Sequence, residues 1–225
     1  MTTEPLYIAK KLVEKAMDAL EKEGIHKGAL YGIMKVLLFC NKGFETMEFS
    51  PFIDTFGWAG FDFHYDVSVT TCGFTKQVIS TFHVPVVMDK TIDEISASHY
   101  DALAIPGGYE EFGFYEEAFD ERFLQLIRDF DSRKKPIASI CVGALPIGKS
   151  GILNGRRGTT YHLGDGCRQK QLAGFGVNVI NEPVVIDDNV ITSYCPETGP
   201  AVAFELMRML LGEEKTKKVR NAMGY

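Results

Sequence analysis

The sequence lacks the features that mark membrane, secreted and nucleic-acid-binding proteins. No apolar run among its 225 residues approaches the ~20 residues that a membrane span needs. Lysine and arginine total 24 against 30 acidic residues, so the chain carries a net charge of −6 and no basic footprint for nucleic acid. The N-terminal stretch is charged throughout and has no apolar core of a secretory signal. These absences predict a cytoplasmic protein that binds neither nucleic acid nor a membrane.

The cysteines also exclude two common kinds of structure. There are five of them, an odd number, with wide spacings and no CxxC pair. Neither a disulfide framework nor a zinc site has this pattern. We therefore expect free thiols in a reducing compartment and no metal site. The five residues are Cys40, Cys72, Cys141, Cys167 and Cys195.

The first part of the chain has the pattern of an amphipathic helix. Apolar residues recur at helical spacing over residues 4–24, opposite a face rich in lysine and glutamate. Gly24 is a suitable end for such a helix. We therefore expect an N-terminal helical extension over residues 1–32 that packs on the domain or on a partner subunit.

From residue 33 onward, short apolar runs alternate with amphipathic segments. The runs KVLLFC, DALAIPGG and PIASIC have the composition of buried parallel strands, and DERFLQLIRDFDSRKK and GPAVAFELMRMLLG have helical periodicity. Two later strands are predicted around a turn at Asp188–Asn189. Such alternation is typical of an α/β fold with a doubly wound, mostly parallel sheet and helices on both faces. We assign residues 33–212 to this domain and residues 213–225 to a charged tail.

Cys141 stands where the predicted strand PIASIC meets the predicted helix VGALPIGKSGIL. In open α/β sheets, ligands bind outside the carboxyl ends of the strands, and a residue at a sharp strand-to-helix turn is exposed there. The unpaired N–H groups at the helix start favour an anion, which predicts a lowered pKa for the Cys141 thiol. Gly143 and Ala144 allow the helix to begin close to the strand. The alternative is a buried cysteine that packs as a small hydrophobe.

Two other segments follow predicted strands and add chemistry at the same edge. Gly107 and Gly108 end the run DALAIPGG, and such glycines free backbone N–H groups for an oxyanion hole. Glu45 and Glu48 follow the run KVLLFC. A carboxyl group beside the thiol either donates a hydrogen bond to the thiolate or acts as a general acid–base. The plain alternatives are a turn for the glycines and a helix surface for the glutamates.

Three separated motifs, in this order, resemble the ThiJ/PfpI superfamily, which includes the parkinsonism-associated protein deglycase, PfpI-type proteins and isonitrile hydratases. The motifs are KGFETMEFSPFIDTFGWAG, ALAIPGG and IASICVGALPIGKSGILNGRRGTTY, and their order and spacing hold over most of residues 35–211. The resemblance implies the flavodoxin-like fold of class I glutamine amidotransferases. It also implies a small-molecule substrate, no cofactor and a homodimer.

The resemblance assigns roles to particular residues. The family's cysteine nucleophile corresponds to Cys141. Its acidic partner corresponds to Glu48, and Glu45 is the weaker match. The family's glycine pair corresponds to Gly107 and Gly108, whose N–H groups are expected to face the reacting centre.

The residues around the two later motifs depart from the family's pattern. PfpI-type members often have histidine directly after the cysteine, where this chain has Val142, so a peptidase triad of that form is absent. We expect the Val142 N–H group to join the oxyanion site. The deglycase group has a histidine after its Thr-Thr pair, whereas here Tyr161 precedes His162. One position reverses the direction of a strand side chain, so a catalytic His162 points into the site and a structural one points away.

Tyr194 and Cys195 replace an arginine and a glycine of the deglycase group, where that arginine belongs to the surroundings of the active site. Both remain candidate substrate-binding positions. Cys195 is either a resolving thiol for Cys141 or a loop cysteine without a role. The aromatic stretch YEEFGFYEEAF, which follows Gly108, either lines the pocket or serves core and dimer packing.

Three hypotheses of function follow. The first is a cofactor-independent enzyme of the glyoxalase or deglycase type, in which Cys141 attacks a small electrophile with help from Glu48 and His162. The second is an isonitrile hydratase or another enzyme acting on C–N bonds. The third is a redox-sensing or chaperone-like protein in which Cys141 is oxidised and no substrate is turned over.

Overall fold

The computed structural model describes residues 32–225, so the N-terminal helix predicted over residues 4–24 lies outside the described residues. The strands are β1 (Met34–Phe39), β2 (Val67–Gly73), β3 (Gln77–Ile79), β4 (Pro85–Val87), β5 (Lys90–Thr91), β6 (Ala102–Ile105), β7 (Ile137–Ser139), β8 (Arg157–Gly158), β9 (Asn178–Val179), β10 (Val184–Asp187) and β11 (Val190–Ser193). The helices are α1 (Thr46–Phe61), α2 (Phe114–Ala118), α3 (Glu121–Ser132), α4 (Ala144–Lys149), α5 (Cys167–Gly174), α6 (Gly199–Leu211) and α7 (Glu213–Ala222).

A seven-stranded sheet forms the centre of the described part of the chain. Its order is β10-β11-β7-β6-β1-β2-β5, and every neighbouring pair is parallel except β10 and β11. Strands β1, β6 and β7 lie side by side in the middle, and β6 and β7 are buried over their whole length. Burial on both faces explains why their sequences are continuous apolar runs. The doubly wound, mostly parallel sheet is confirmed.

Helices cover the sheet on both faces. Helices α1, α6 and α7 pack together on one side, and α3, α4 and α5 form a second group on the other. Apolar side chains join the layers, as where the Phe39 ring of β1 stacks on Phe123 of α3 with 4.2 Å between ring centres. None of the helices within residues 32–225 combines the length and the apolar character that crossing a bilayer requires.

Three segments differ from the sequence-based predictions. The small antiparallel hairpin of β3 and β4 lies outside the main sheet; the run VPVVMD predicts the short strand β4, but β3 and its pairing with β4 were not predicted. Helix α4 ends at Lys149, four residues before the end of the predicted helical segment, and Gly151 follows at φ +91°. Residues 213–222, interpreted from sequence as part of a charged tail, form helix α7 on α6 and α1, with Val219 fully buried.

Candidate active site

The predicted site residues converge at the carboxyl ends of the three central strands. Glu48 lies on α1, which follows β1; the glycine pair follows β6; and Cys141 follows β7. Because these strands are adjacent and parallel, their ends meet at one edge of the sheet. A cavity of about 300 Å³ opens there, and Glu48, Gly108, Cys141 and Val142 are among the residues that line it.

Cys141 occupies a strained corner at the floor of this cavity. Its backbone has φ +56°, a left-handed conformation that is costly for a residue with a side chain. Residues 141–143 form a short 3-10 turn that leads into α4. The Thr160 hydroxyl holds the turn by donating to the Cys141 carbonyl oxygen at 2.8 Å. The corner geometry predicted from the sequence is therefore present, with 9% of Cys141 exposed.

The small residue at position 143 has a packing reason. A β-carbon added to Gly143 would lie 2.7 Å from the Ile105 carbonyl oxygen and 3.2 Å from the Gly107 nitrogen. The corner after β7 therefore presses directly against the corner after β6. Only glycine permits this approach, which brings Cys141 beside the glycine pair.

Glu48 is buried beside the thiol and holds a proton at neutral pH. Only 1% of the residue is exposed, and the Gly107 N–H group donates to its Oε2 at 2.6 Å. Burial raises the pKa of Glu48 to about 8, although the hydrogen bonds from Gly107 and Cys141 act in the opposite direction. Glu45 has a structural role instead: its side chain caps the N-terminus of α1 by accepting a hydrogen bond from the Met47 N–H group at 3.3 Å.

The prediction of a lowered pKa for Cys141 is wrong. Burial raises the pKa of the Cys141 thiol well above its ordinary value, and the nearby Glu48 carboxylate raises it further. The Val142 N–H group bonds to the sulfur and opposes this rise, but it is a smaller effect. Cys141 and Glu48 thus form a hydrogen-bonded pair in which any negative charge is disfavoured by burial.

Gly107 and Gly108 differ in what they offer. The prediction that the Gly107 N–H group faces the reacting centre is wrong, because it is already bonded to Glu48. A β-carbon at Gly107 would lie 2.9 Å from Glu48 Oε2 and 2.9 Å from the Val142 nitrogen, so glycine is required there. Gly108 lines the cavity, and its N–H group has no acceptor among the described residues. Gly108 is therefore the better oxyanion donor, and because the Val142 N–H group bonds to the Cys141 sulfur, its expected part in the oxyanion site stays a prediction.

His162 does not reach the cavity. The register places Tyr161 in the cavity wall, and the His162 ring instead stacks on Tyr194 with 3.8 Å between ring centres. Adjacent residues of an extended chain point in opposite directions, so the inserted Tyr161 took the inward position. The catalytic role predicted for His162 is not supported, and no histidine lines the cavity among residues 32–225.

Tyr194 and Cys195 lie behind the site rather than in its wall. The Tyr194 hydroxyl donates to Asn181 Oδ1 at 2.6 Å. Cys195 is buried, and its charge contributes a minor part of the raised pKa of Cys141, so the two cysteines are neighbours. The assignment of both as substrate-binding residues is not supported, since neither lines the cavity. A resolving role for Cys195 stays a prediction.

The upper wall contains residues that the sequence did not single out. Tyr161 lines the cavity from the loop before α5, and Cys167 and Arg168 line it from the first turn of that helix. Tyr161 ends the third motif but was considered only for its effect on His162, and no motif covers Cys167 or Arg168. The aromatic stretch after Gly108 was a usable signal: Tyr109 and Tyr115 line the cavity, whereas its other rings pack elsewhere. Within the described range, no group of three or more potential ligands is placed to hold a metal ion.

Sheet order and the corner cysteine together place the chain among flavodoxin-like α/β proteins with a cysteine-centred site. Residues 34–209 match the model of the DJ-1/PfpI family, and this chain belongs to that family. The resemblance stated from the motifs is thereby confirmed.

Known relatives agree with this assignment. The chain is 32% identical to Deglycase PfpI of Pyrococcus furiosus over 143 residues, which cover 63% of this chain and 82% of the relative. It is 28% identical to Protein/nucleic acid deglycase 2 of Escherichia coli over 179 residues, covering 78% and 97%. The crystal structure of Drosophila melanogaster DJ-1beta is similar with a TM-score of 0.74 and 26% identity, covering 84% of this chain and 97% of that one.

Proposed function

We propose that this protein is a cofactor-independent enzyme that converts small 2-oxoaldehydes, such as methylglyoxal, into 2-hydroxy acids, with Cys141 as the nucleophile. The observation behind the proposal is the hydrogen-bonded Cys141–Glu48 pair on the floor of a cavity of about 300 Å³. That volume suits a small substrate. The names of the two deglycase relatives support the same class of chemistry.

The pair supplies both a nucleophile and a base. Below about pH 8 both groups hold their protons, because burial raises the pKa of Glu48 to about 8 and that of Cys141 as well. Loss of one proton leaves one negative charge shared by the two groups. The sulfur then attacks the aldehyde carbon while its proton passes to the Glu48 carboxylate. A carbon–sulfur bond forms, and the carbonyl oxygen becomes an oxyanion.

A backbone donor is available for that oxyanion. Gly108 lines the cavity and its N–H group has no acceptor among the described residues, and donors fixed in a site of low polarity are the usual means of stabilising such charge. Glu48 next returns its proton to the oxygen, which gives a neutral hemithioacetal and restores the carboxylate.

The remaining steps need water but no external oxidant. The carboxylate removes the proton from the first carbon of the hemithioacetal and delivers it to the second carbon, while the hydroxyl proton on the first carbon passes to the oxygen of the second carbon. The first carbon is thereby oxidised to a thioester as the second is reduced to an alcohol. Water cleaves the thioester, releases the hydroxy acid and restores the thiol. A deglycase reaction would use the same attack on a carbonyl adduct.

The test is incubation with methylglyoxal, with chromatographic measurement of lactate. We expect lactate from the unmodified protein and none above background from Cys141→Ala, because no other group replaces the nucleophile. Cys167→Ser is the matched control, since it removes an exposed thiol from the mouth of the same cavity. Full activity of Cys141→Ala would refute the proposal. Absence of lactate with consumption of an isonitrile would favour the C–N hypothesis instead.

A further inference from the structure

The lining of the cavity is strongly acidic. Besides the protonated Glu48, four carboxylates border it, and Arg168 is the one cationic side chain in the lining among residues 32–225. The four carboxylates belong to Glu45, Glu110, Glu111 and Asp165. Four negative charges against one positive charge leave three negative charges around the path to Cys141.

Arg168 is already engaged by neighbouring side chains. Its Nη2 donates to Glu110 Oε2 at 2.7 Å, and its Nη1 donates to Gln171 Oε1 at 3.1 Å. The guanidinium carbon lies 4.9 Å from the centre of the Tyr115 ring, which holds the group against the wall. A guanidinium matches two carboxylate oxygens well. Here Glu110 binds one guanidinium donor through a single oxygen, so a carboxylate on a substrate must compete with it.

The other groups near the thiol do not offset the negative charge. Asp165 accepts from the Cys167 N–H group at 2.9 Å, and hydrogen bonds from Cys167 lower the pKa of Asp165, which keeps it ionised. This chain has Tyr194 at the position where the deglycase group has an arginine. The Tyr194 hydroxyl is bonded to Asn181. That segment therefore adds no positive charge.

We infer that the cavity selects uncharged or cationic carbonyl compounds and disfavours carboxylates such as 2-oxo acids, and that Glu110 sets this preference by occupying Arg168. The inference rests on the proposed function, since it concerns the substrate class of the same site. The same charges should also govern the access of any charged reagent to Cys141, whether or not the protein turns over a substrate. Screening by salt and the charge on each reagent then decide the rate at which electrophiles reach the thiol.

Two alkylating reagents of nearly equal size test this directly. The Cys141 sulfur displaces iodide from uncharged iodoacetamide or from anionic iodoacetate, forming a carbon–sulfur bond in either case. Rates at Cys141 are measured by peptide mass spectrometry and divided by the rates for 2-mercaptoethanol, which corrects for the intrinsic difference between the reagents. We expect a preference for iodoacetamide of about tenfold at low ionic strength, which diminishes at roughly 0.5 M salt because screening shortens the reach of the carboxylates.

Three variants identify the residue responsible. Glu111→Gln removes one negative charge from an exposed residue of the rim and should reduce the preference about two- to threefold. Glu110→Gln removes the same charge and also releases Arg168, so it should reduce the preference at least about fivefold. Arg168→Gln should increase the preference.

The outcomes separate this inference from the proposed function. A preference no greater than that of 2-mercaptoethanol, with lactate still formed, would overturn the charge selection alone. Equal effects of Glu110→Gln and Glu111→Gln would overturn the special role of Glu110. A Cys141 that reacts with neither reagent and forms no lactate would overturn both proposals, because the thiol would then be inaccessible.

Discussion

At the scale of single residues, the position of a residue directly after a strand predicted that it belongs to the site, but the sequence did not predict how deeply the residue is buried. Cys141 and Glu48 each follow a central strand, and that order along the chain predicted their meeting. The sequence cannot state how far a thiol lies below the surface. Burial reverses the effect expected from the helix start, and the pKa of Cys141 is raised by desolvation instead of lowered. The nucleophile therefore depends on its partner carboxyl group and not on a helix dipole.

Gly107 provides a prediction about the support of Glu48. In Gly107→Ala the new β-carbon would meet Glu48 Oε2 and the Val142 nitrogen, both at 2.9 Å. We expect the free energy of unfolding to fall by about 1–3 kcal/mol, as overpacking does, and kcat/KM to fall at least about tenfold because the carboxyl group moves. Urea unfolding and the lactate assay measure the two effects.

Gly57→Ala is the matched control for this substitution. Gly57 lies on the exposed side of α1, and an added β-carbon meets nothing within 4 Å. Alanine there should increase the free energy of unfolding by about 0.5–1 kcal/mol, because it favours the helix, and leave activity unchanged. If both variants behaved alike, the close packing around Gly107 would have no functional importance.

At the scale of elements, burial decided which predictions succeeded. The central strands β1, β6 and β7 are continuous apolar runs because both of their faces are covered, so their sequences identify them. The β-turn at Asp188–Asn189 was also predicted, and Asp188 has φ +51° in that turn. The short strands β3 and β4 are largely exposed and do not form continuous buried apolar runs. Each strand is stabilised by pairing with the other, and this pairing is not visible in the local sequence pattern.

His162 shows the limit of register arguments. The predicted strand RGTTYH is regular only over Arg157–Gly158, so alternation beyond it was not fixed by a ladder. The structure resolves the open choice by turning Tyr161 to the cavity and His162 to Tyr194. When a family's residue is displaced by one position in this chain, as His162 is, its place in the sequence is nearly the same but its side chain points in a different direction.

Helix α7 gives a prediction at this scale. Val219 is fully buried where α7 packs on α6 and α1. Val219→Ala should reduce the free energy of unfolding by about 1–2 kcal/mol through lost apolar burial, whereas Lys217→Ala on the exposed side of the helix should change it by less than about 0.5 kcal/mol. Thermal or urea unfolding compares them. Equal, negligible effects would mean that residues 213–222 are the independent tail first predicted.

At the scale of the whole molecule, the family resemblance implies a homodimer, and one surface suits it. The β3–β4 hairpin exposes the apolar side chains of Ile79, Phe82, Val84 and Val87. The Phe82 ring lies near that of Tyr109 in the cavity wall, with 6.3 Å between ring centres, so this surface adjoins the cavity. An exposed apolar patch of this kind is typical of an interface.

Light scattering after size-exclusion chromatography tests the dimer. We expect the mass of a dimer for the unmodified protein and of a monomer for Val87→Glu, because a charge in a closed apolar interface is costly. Ile186→Glu, on the β10 strand at the opposite edge of the sheet, should remain dimeric. A monomeric parent protein, or a dimer that tolerates Val87→Glu, would exclude this interface.

The most direct test of the central claim, that Cys141 and Glu48 act as one proton-sharing pair, is the rate of Cys141 alkylation by iodoacetamide between about pH 6 and 10. In the unmodified protein we expect the rate to rise as pH increases through about 8, where the pair loses its first proton because burial raises the pKa of Glu48 to about that value. In Glu48→Gln the rise should move to higher pH, because only the thiol then titrates and burial, the largest cause of its raised pKa, remains even though the contribution of the Glu48 carboxylate is lost. Coincident profiles for the two proteins, or a parent rate already at its plateau well below neutral pH, would contradict the account.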